Sequence, residues 1–371
     1  AGTRAVGVWL YLHSLLAAYG MVAYCRSVGR SKMASLLAGA AYSMCGISVM
    51  HVVWPNIFAA GAWVPLELWA IEKIIAGRRP MFFASALAGA SGFQWLSGHP
   101  QIPVLSAYCL AFYCLLRAAV FTEMPPARTR ARPILLTAAG LAAGFAMGMV
   151  QILPLFDVAA QSWRSQGTTS EFAATGSLPP WGALLGAFPA LYGTEGPSDG
   201  AKFWLSAAGG GGGSWELHFY TGALFVSLAF FAVVRFHRDA LVKTYIGLAA
   251  VCLLYAFGKW GPLFPILRHL PGLAHLRVPA RALLFVDVAL IGLGALAIDR
   301  LRGGGAVVSS LWRRTARIPL FCLLALWVGS WAGVRAADSS LTDLIGRHTE
   351  KSERKHLETN RIYDADSVLW R

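Results

Sequence analysis

Long apolar segments recur along the chain with the length and spacing of membrane-spanning helices. A helix needs about 20 mostly apolar residues to cross the hydrocarbon core of a bilayer. Ten segments satisfy this requirement, and short polar connections or longer loops separate them. These segments are residues 5–25, 33–53, 56–75, 81–98, 102–121, 133–156, 218–235, 241–258, 281–299 and 316–335. The pattern predicts an all-α, polytopic transmembrane helix bundle of about ten spans.

The composition agrees with this pattern. Apolar residues make up 56% of the 371 residues, against roughly 45–50% in an ordinary soluble domain. Charged residues make up only 13%, which is about half the usual share. Such a composition excludes a soluble enzyme, a disordered chain and a disulfide scaffold. The six cysteines form no C-x-x-C pair, and we interpret them as small apolar core residues.

The distribution of Lys and Arg predicts the orientation of the spans. Cytoplasmic connections of membrane proteins carry an excess of these residues. Connections that alternate along the chain hold 18 of them, whereas the other set holds 6 although it is longer in total. The first set comprises residues 26–32, 73–79, 117–132, 235–243 and 300–317. We therefore place this set in the cytoplasm, and the net charge of +14 needs no nucleic-acid partner.

This orientation divides the chain into four parts. Residues 1–157 form spans one to six, and residues 158–217 form an outer loop with short interfacial helices. Residues 218–336 form spans seven to ten, and residues 337–371 form a polar tail on the outer side. Both termini then lie outside. Because no export signal precedes the first span, we expect upstream sequence with an odd number of spans.

Polar side chains gather at the outer ends of the predicted spans. Ionisable groups at membrane depth are costly and often functional. Arg277 and Arg281 suit phosphate oxygens because a guanidinium group donates paired hydrogen bonds, and Arg164 is a third candidate. The full set of candidates is His99, Gln101, Asp157, Arg164, Trp215, Glu216, Tyr220, Arg277 and Arg281.

Structural interpretations of these residues carry similar weight. Arg277 and Arg281 would equally anchor a helix end by snorkelling to lipid headgroups, and Glu216 would neutralise one of them. His99, beside a proline, fits a turn residue better than a metal ligand. No spacing of His, Cys, Asp and Glu predicts a metal site.

Three further features of the predicted spans concern packing or burial. Gly140, Gly144 and Gly148 form a stripe of small residues that lets a neighbouring helix approach closely. Asp287 lies inside the ninth span without an evident partner. Glu67 in the third span does not share a helix face with Glu72, since the two are five residues apart.

An ordered set of short motifs resembles the bacterial YfhO-type membrane proteins, which look like members of the GT-C superfamily of glycosyltransferases. The matches follow the family's order over roughly residues 8–300. They are Gly98-His99-Pro100-Gln101, Gln151-Ile152-Leu153-Pro154, Ser177-Leu178-Pro179-Pro180 with Phe188-Pro189, Trp215-Glu216 with Tyr220-Thr221-Gly222, and Leu276-Arg277-Val278-Pro279-Ala280-Arg281.

The resemblance implies sugar transfer on the outer face of the bacterial inner membrane. The donor would be a polyprenyl-phosphate-linked sugar, and the acceptor an envelope polymer or a membrane lipid. Trp215 and Tyr220 would stack on the sugar or line a prenyl groove, and Glu216 would bind sugar hydroxyls or orient Arg277. The family's catalytic base, an acidic residue in the first outer loop, is expected upstream of Ala1, so no catalytic residue is assigned. A divalent cation is compatible with this chemistry.

Two other functions remain open. The first is a non-catalytic subunit or scaffold that packs against other membrane subunits. The second is a lipid or polymer transporter, which the scarcity of charge in the middle of the spans disfavours.

Overall fold

The structure is a computed structural model, and it describes residues 2–121, 127–161, 169–189, 191–192 and 214–303. All of the regular secondary structure in these ranges is helical. The α-helices are α1 (Gly2–Ser27), α2 (Lys32–Ser43), α3 (Gly46–Met50), α4 (Pro55–Ile75), α5 (Pro80–Leu96), α6 (Gln101–Leu115), α7 (Ala127–Ala160), α8 (Ser170–Ala173), α9 (Ser214–Leu217), α10 (Ala223–Phe236), α11 (Ala240–Ala256), α12 (Leu263–Leu267) and α13 (Leu283–Gly303). Short 3₁₀ turns at His51–Val53, Pro180–Gly186, Gly258–Trp260, Leu273–His275 and Pro279–Ala282, and a π-helical turn at Leu116–Val120, complete the set.

Five helical stretches of the described chain are long and apolar enough to cross a membrane. They are Arg4–Ser27, Lys32–Val53, Gln101–Val120, Arg130–Val158 and Pro279–Gly303. The prediction of an α-helical chain with helices long and apolar enough to span a membrane is thus confirmed. The predicted count of about ten spans is not reached, and the tenth predicted span lies outside the described residues.

The remaining predicted spans are helices that are shorter or more polar than expected. Helices α5, α10 and α11 have 17, 14 and 17 residues, below the roughly 20 needed to cross a bilayer. Helix α4 has 21 residues but carries Glu67, Glu72 and Lys73. Helix α10 begins only at Ala223 because the preceding residues form an extended segment.

That extended segment packs on a break in the second predicted span. Helix α2 ends at Ser43 and α3 begins at Gly46, whose backbone N–H donates to the Tyr220 carbonyl at 2.7 Å. A Cβ atom at Gly46 would lie 2.6 Å from the backbone nitrogen of Tyr220. Only glycine allows this contact, which brings two distant parts of the chain together.

The predicted glycine stripe of α7 packs directly on α5. Cβ atoms at Gly144 and Gly148 would lie 2.5 Å from the Cβ atoms of Ser91 and Trp95. Real Cβ atoms do not approach so closely, and any larger residue would separate the helices. The structure therefore confirms that the stripe is a packing feature.

Helix α13 lies at the centre of the described bundle. Fourteen of its 21 residues are buried, and it packs against α2, α10 and α11. Its first turn follows the 3₁₀ turn that contains Arg281, so the most buried helix begins at the candidate site.

A polar network joins four helices at one end of the bundle. The Glu72 carboxylate accepts from Arg117 Nε at 2.8 Å, from Arg117 Nη2 at 3.1 Å and from the Tyr113 hydroxyl at 2.7 Å. The Tyr24 hydroxyl lies 2.8 Å from those of Tyr113 and Tyr245. We call these five residues the Arg117 cluster. It lies at the carboxyl ends of α4 and α6, so the amino ends of the same helices face the opposite end of the bundle.

Candidate functional site

Five polar side chains meet at the end of the bundle opposite the Arg117 cluster. His51 follows α3, His99 lies in the turn between α5 and α6, and Gln101 begins α6. Glu216 belongs to α9, and Arg281 lies in the 3₁₀ turn that leads into α13. We call this group the Arg281 cluster. Four of its members are predicted site residues, and His51 is an addition.

A buried ion pair forms the centre of the Arg281 cluster. Arg281 Nη2 donates to Glu216 Oε1 at 2.5 Å, and Nε donates to Oε2 at 3.0 Å. The two side chains are only 10% and 8% exposed. This parallel geometry is the strong form of an arginine–carboxylate contact. It bears out the interpretation that Glu216 neutralises one of the two arginines, and the partner is Arg281.

The remaining guanidinium nitrogen of Arg281 binds the turn before α6. Nη1 donates to Gln101 Oε1 at 2.6 Å and lies 3.0 Å from His99 Nε2. Arginine is always protonated, so His99 Nε2 is the acceptor and the His99 proton resides on Nδ1. Nδ1 is buried and has no hydrogen-bond partner among the described residues.

The electrostatics of the cluster oppose a second positive charge on His99. Burial, followed by the charge of Arg281, lowers the pKa of His99 from 6.5 to about 3. His99 is thus neutral, as its role as an acceptor for Arg281 requires. His99 lies in the turn between α5 and α6, and its Nε2 is occupied by the hydrogen bond from Arg281.

Glu216 is held in the charged form by its neighbours. Burial alone raises its pKa, but hydrogen bonds from His51 and Arg281 and the charge of Arg281 outweigh it, and the pKa is lowered to about 2. His51 Nε2 lies 3.4 Å from Glu216 Oε2, and Nδ1 lies 2.8 Å from the Ile47 carbonyl. His51 therefore connects α3 to the ion pair.

Gln101 fixes the backbone segment that separates the two arginines. Its side-chain amide donates to the carbonyls of Arg277 and Val278, the second at 3.1 Å. Val278 has φ of 60°, which is rare for a β-branched residue. This conformation is held on its other side by Thr175, whose carbonyl accepts from the Val278 N–H at 2.9 Å.

The two arginines consequently occupy different surroundings. Arg281 points into the bundle, whereas Arg277 is exposed and its guanidinium lies 5.5 Å from the ring centre of Phe172. Sequence reasoning treated them as equivalent. The structure places Arg277 at the surface beside Phe172, and it buries Arg281 between the segments that carry Glu216 and Gln101.

The other candidates lie around or apart from the cluster. Trp215 and Tyr220 are half-buried, and the Tyr220 hydroxyl accepts from the Ala223 N–H at 3.2 Å. Asp157 is exposed near the end of α7 and makes no side-chain hydrogen bond with the cluster among the described residues. Arg164 lies outside the described residues.

The charge pattern does not single out His51, because residues 51–56 form an outer connection without Lys or Arg. The signal for His51 is an ionisable residue at the outer edge of a predicted span, three residues before Trp54-Pro55. In the described part of the chain, no three His, Cys, Asp or Glu side chains are grouped to hold a metal ion.

Comparison with known proteins gave no matching family model, no similar curated protein and no similar solved structure. The geometry of the chain itself therefore carries the functional argument.

Proposed function

We propose that the chain is a membrane protein of the bacterial cell envelope that transfers a sugar from a polyprenyl-phosphate donor to an envelope polymer or lipid. The reaction takes place on the outer face of the inner membrane, in a GT-C-like bundle of about ten spans. The low charge of the connections at the Arg281 end supports this orientation, because cytoplasmic connections are rich in Lys and Arg.

The observation that carries the proposal is the position of Arg277. Its backbone carbonyl is held by Gln101 and its neighbour Val278 by Thr175, yet its guanidinium is exposed beside Phe172. A braced backbone thus presents a cation at the end of an apolar bundle. Guanidinium groups match phosphate oxygens, and a polyprenyl phosphate carries its phosphate at the membrane surface.

The geometry divides the predicted roles of the two arginines. Arg281 directs Nε, Nη1 and Nη2 to protein groups, so we assign it to positioning. Arg277 binds the donor phosphate and stabilises the departing phosphate charge. Trp215 and Tyr220 line the path of the sugar or the prenyl chain.

The test is donor binding by the purified protein in lipid nanodiscs, with polyprenyl phosphate as the probe. Arg277→Ala is expected to raise the Kd about tenfold or more, because one charge-assisted hydrogen bond contributes about 1.5–3 kcal/mol. Arg277→Lys should recover part of this loss.

The matched control is Arg268→Ala, which removes another arginine before α13. Its Nη1 donates to Ser170 Oγ at 2.8 Å, and its loss should change the Kd less than about twofold, as for a surface charge. Equal binding by wild type and Arg277→Ala would exclude the phosphate role.

One observation favours the non-catalytic subunit as a second candidate. Glu216 is the carboxylate of the cluster, and it already accepts from Arg281 and His51. Transfer needs a base for the acceptor hydroxyl, and the described cluster holds no other acid. Donor binding without sugar release in the presence of acceptor membranes would support the subunit.

A further inference from the structure

Two carboxyl groups lie in the interior of the bundle, away from both polar clusters. Glu67 of α4 and Asp287 of α13 are each 0% exposed. The Glu67 oxygens have no hydrogen-bond partner within the described ranges, and the polar neighbour of the Asp287 carboxyl is the Cys45 thiol. Glu72 of the same helix α4, by contrast, is paired with Arg117.

One tyrosine of α2 lies near both carboxyls, beside a contact between α4 and α13. A Cβ atom at Gly61 of α4 would lie 3.7 Å from Leu284 of α13, so these helices are adjacent one turn from Asp287. The Tyr42 hydroxyl of α2 donates to the Gly61 carbonyl at 2.8 Å. Tyr42 lies close enough to both carboxyls to interact electrostatically with each.

The surroundings of these carboxyls exclude the charged form. An ionised carboxylate without partners costs many kcal/mol in an apolar interior, so such a group keeps its proton instead. A metal ion would need more ligands than two separate carboxyls supply, and the described chain has no such group of side chains. The ligand that fits two buried carboxyls, neither of which has an ion-pair partner among the described residues, is the proton.

Among the described residues, the groups that face α4 and α13 supply no positive charge at this depth. Tyr42 belongs to α2, and Cys45 lies at the break between α2 and α3. The phenols nearer the Arg117 end are Tyr24 of α1, Tyr113 of α6 and Tyr245 of α11. Arg117 and Arg281 form salt bridges with Glu72 and Glu216, respectively.

Polar side chains of the break between α2 and α3, of α3 and of the turn after α3 lie between Asp287 and the Arg281 cluster. Cys45 interacts electrostatically with Asp287, and its Sγ lies 3.3 Å from Ser48 Oγ. His51 follows one helical turn after Ser48 and contacts Glu216. At the other end, the Glu72 carboxylate is already bound by Arg117 and Tyr113.

We propose that Glu67 and Asp287 form a proton-binding site inside the helix bundle, loaded from the end that carries Arg281. The proton enters along the row of side chains at the break between α2 and α3, and it leaves by the same route when the pH at that end rises. This activity goes beyond sugar transfer and does not depend on it.

The first test is infrared spectroscopy of the full chain in lipid vesicles at neutral pH. The C=O stretch of protonated carboxyl groups is expected in the wild type, smaller in Glu67→Gln and in Asp287→Asn, and lost in the double variant. Gln and Asn keep the volume of the side chain, and Glu67→Asp and Asp287→Glu should restore the band.

The matched control is Glu171→Gln, which removes an exposed carboxyl of α8 and should leave the band unchanged. A band that is absent from the wild type, or that both single variants retain in full, would overturn the proposal.

A second measurement uses the wild type alone and is independent of variant folding. Dicyclohexylcarbodiimide is an apolar reagent that couples to protonated carboxyls, and peptide mass spectrometry locates the adduct. Adducts on Glu67 or Asp287 support the proposal. Protection by Na⁺ at constant pH would overturn it in favour of a cation site.

The route has its own test in Ser48→Ala. After an alkaline pH jump, the infrared band of the wild type should decay at least ten times faster than that of the variant, with equal starting amplitudes. An equal decay rate would exclude entry along this row.

Discussion

The two ends of the bundle each carry a buried arginine–carboxylate pair, but the pairs are built in different ways. In the Arg117 cluster, Glu72 and three tyrosines belong to regular helices, and the neighbours of the ion pair are neutral phenols. In the Arg281 cluster, the partners come from turns and short helices, and two of the neighbours are imidazoles. The first arrangement joins long helices to one another, whereas the second joins turns and short helices to the start of α13.

Hydrogen bonding separates the two clusters further. Within the described residues, each buried side-chain N or O atom of the Arg117 cluster has a hydrogen bond, but His99 Nδ1 of the Arg281 cluster does not. Buried polar groups without partners are rare in native proteins and often mark function. The two ends therefore differ in how completely their buried polar groups are paired, and the incomplete pairing lies at the Arg281 end.

The largest expected effect comes from removal of the arginine in each pair. Arg281→Ala leaves Glu216 buried with only His51 beside it, and we expect a loss of about 3–5 kcal/mol in unfolding free energy. Arg117→Ala leaves Glu72 with its Tyr113 hydrogen bond, and we expect about 2 kcal/mol. Equilibrium unfolding in mixed detergent micelles measures both. Equal losses would remove the distinction between the ends.

The pH dependence of stability sharpens the same comparison. The folded protein keeps His99 neutral down to a pKa of about 3, whereas the unfolded chain binds this proton below about 6.5. The contribution of His99 to stability is therefore complete above pH 6.5 and is lost as the pH falls toward 3. The lowered pKa of Glu216 acts in the same direction, and its contribution is lost between about 4.5 and 2.

His99→Gln isolates the first of these effects, because the glutamine oxygen still accepts from Arg281. Between pH 6.5 and 4.5 the wild type should lose about 2 kcal/mol more stability than the variant. The measurement is the difference in unfolding free energy between wild type and variant, determined at a series of pH values from 6.5 to 4.5. Parallel curves would show that His99 takes up a proton in the folded state.

The smallest effect is expected from a phenol of the Arg117 cluster. Tyr24→Phe removes the hydroxyl that joins Tyr113 to Tyr245, at a cost of about 1 kcal/mol for hydrogen bonds in a packed interior. Plots of unfolding free energy against pH should run parallel for wild type and variant from pH 7 to pH 4.5. A difference that changes with pH in this range would mean that the Arg117 cluster also responds to protons.

Much of the helical framework could be predicted because hydrophobic length is a local property. Helices occur at each predicted span from residue 5 to residue 299, and the boundaries differ where tertiary contacts intervene. The clearest case is the contact between Gly46 and Tyr220, which breaks one predicted span and delays the start of another. Such a contact between distant segments has no signature in either segment.

The sequence predicts which residues belong to the candidate site better than it predicts how they are arranged. His99, Gln101, Glu216 and Arg281 meet because helix ends on one side of a bundle lie close together. Which arginine is buried depends on the turn at Val278 and on Gln101, and neither is visible in the spacing of charges. Likewise, Glu67 and Glu72 lie on different faces, as predicted, yet only their neighbours determine that one is paired and the other is not.

The central position of α13 has a consequence for biosynthesis. The ribosome delivers α13 after α2, α10 and α11, the helices against which it packs, so we expect these three helices to lack their central contacts until α13 has been made. Until then, the backbone N–H of Ser31 lacks the Asp299 carboxylate that accepts it at 2.8 Å, and Glu216 lacks Arg281. We expect the incomplete bundle to need the insertion machinery or a chaperone until residue 303 has been made, and truncation before α13 to lead to degradation rather than to a smaller stable protein.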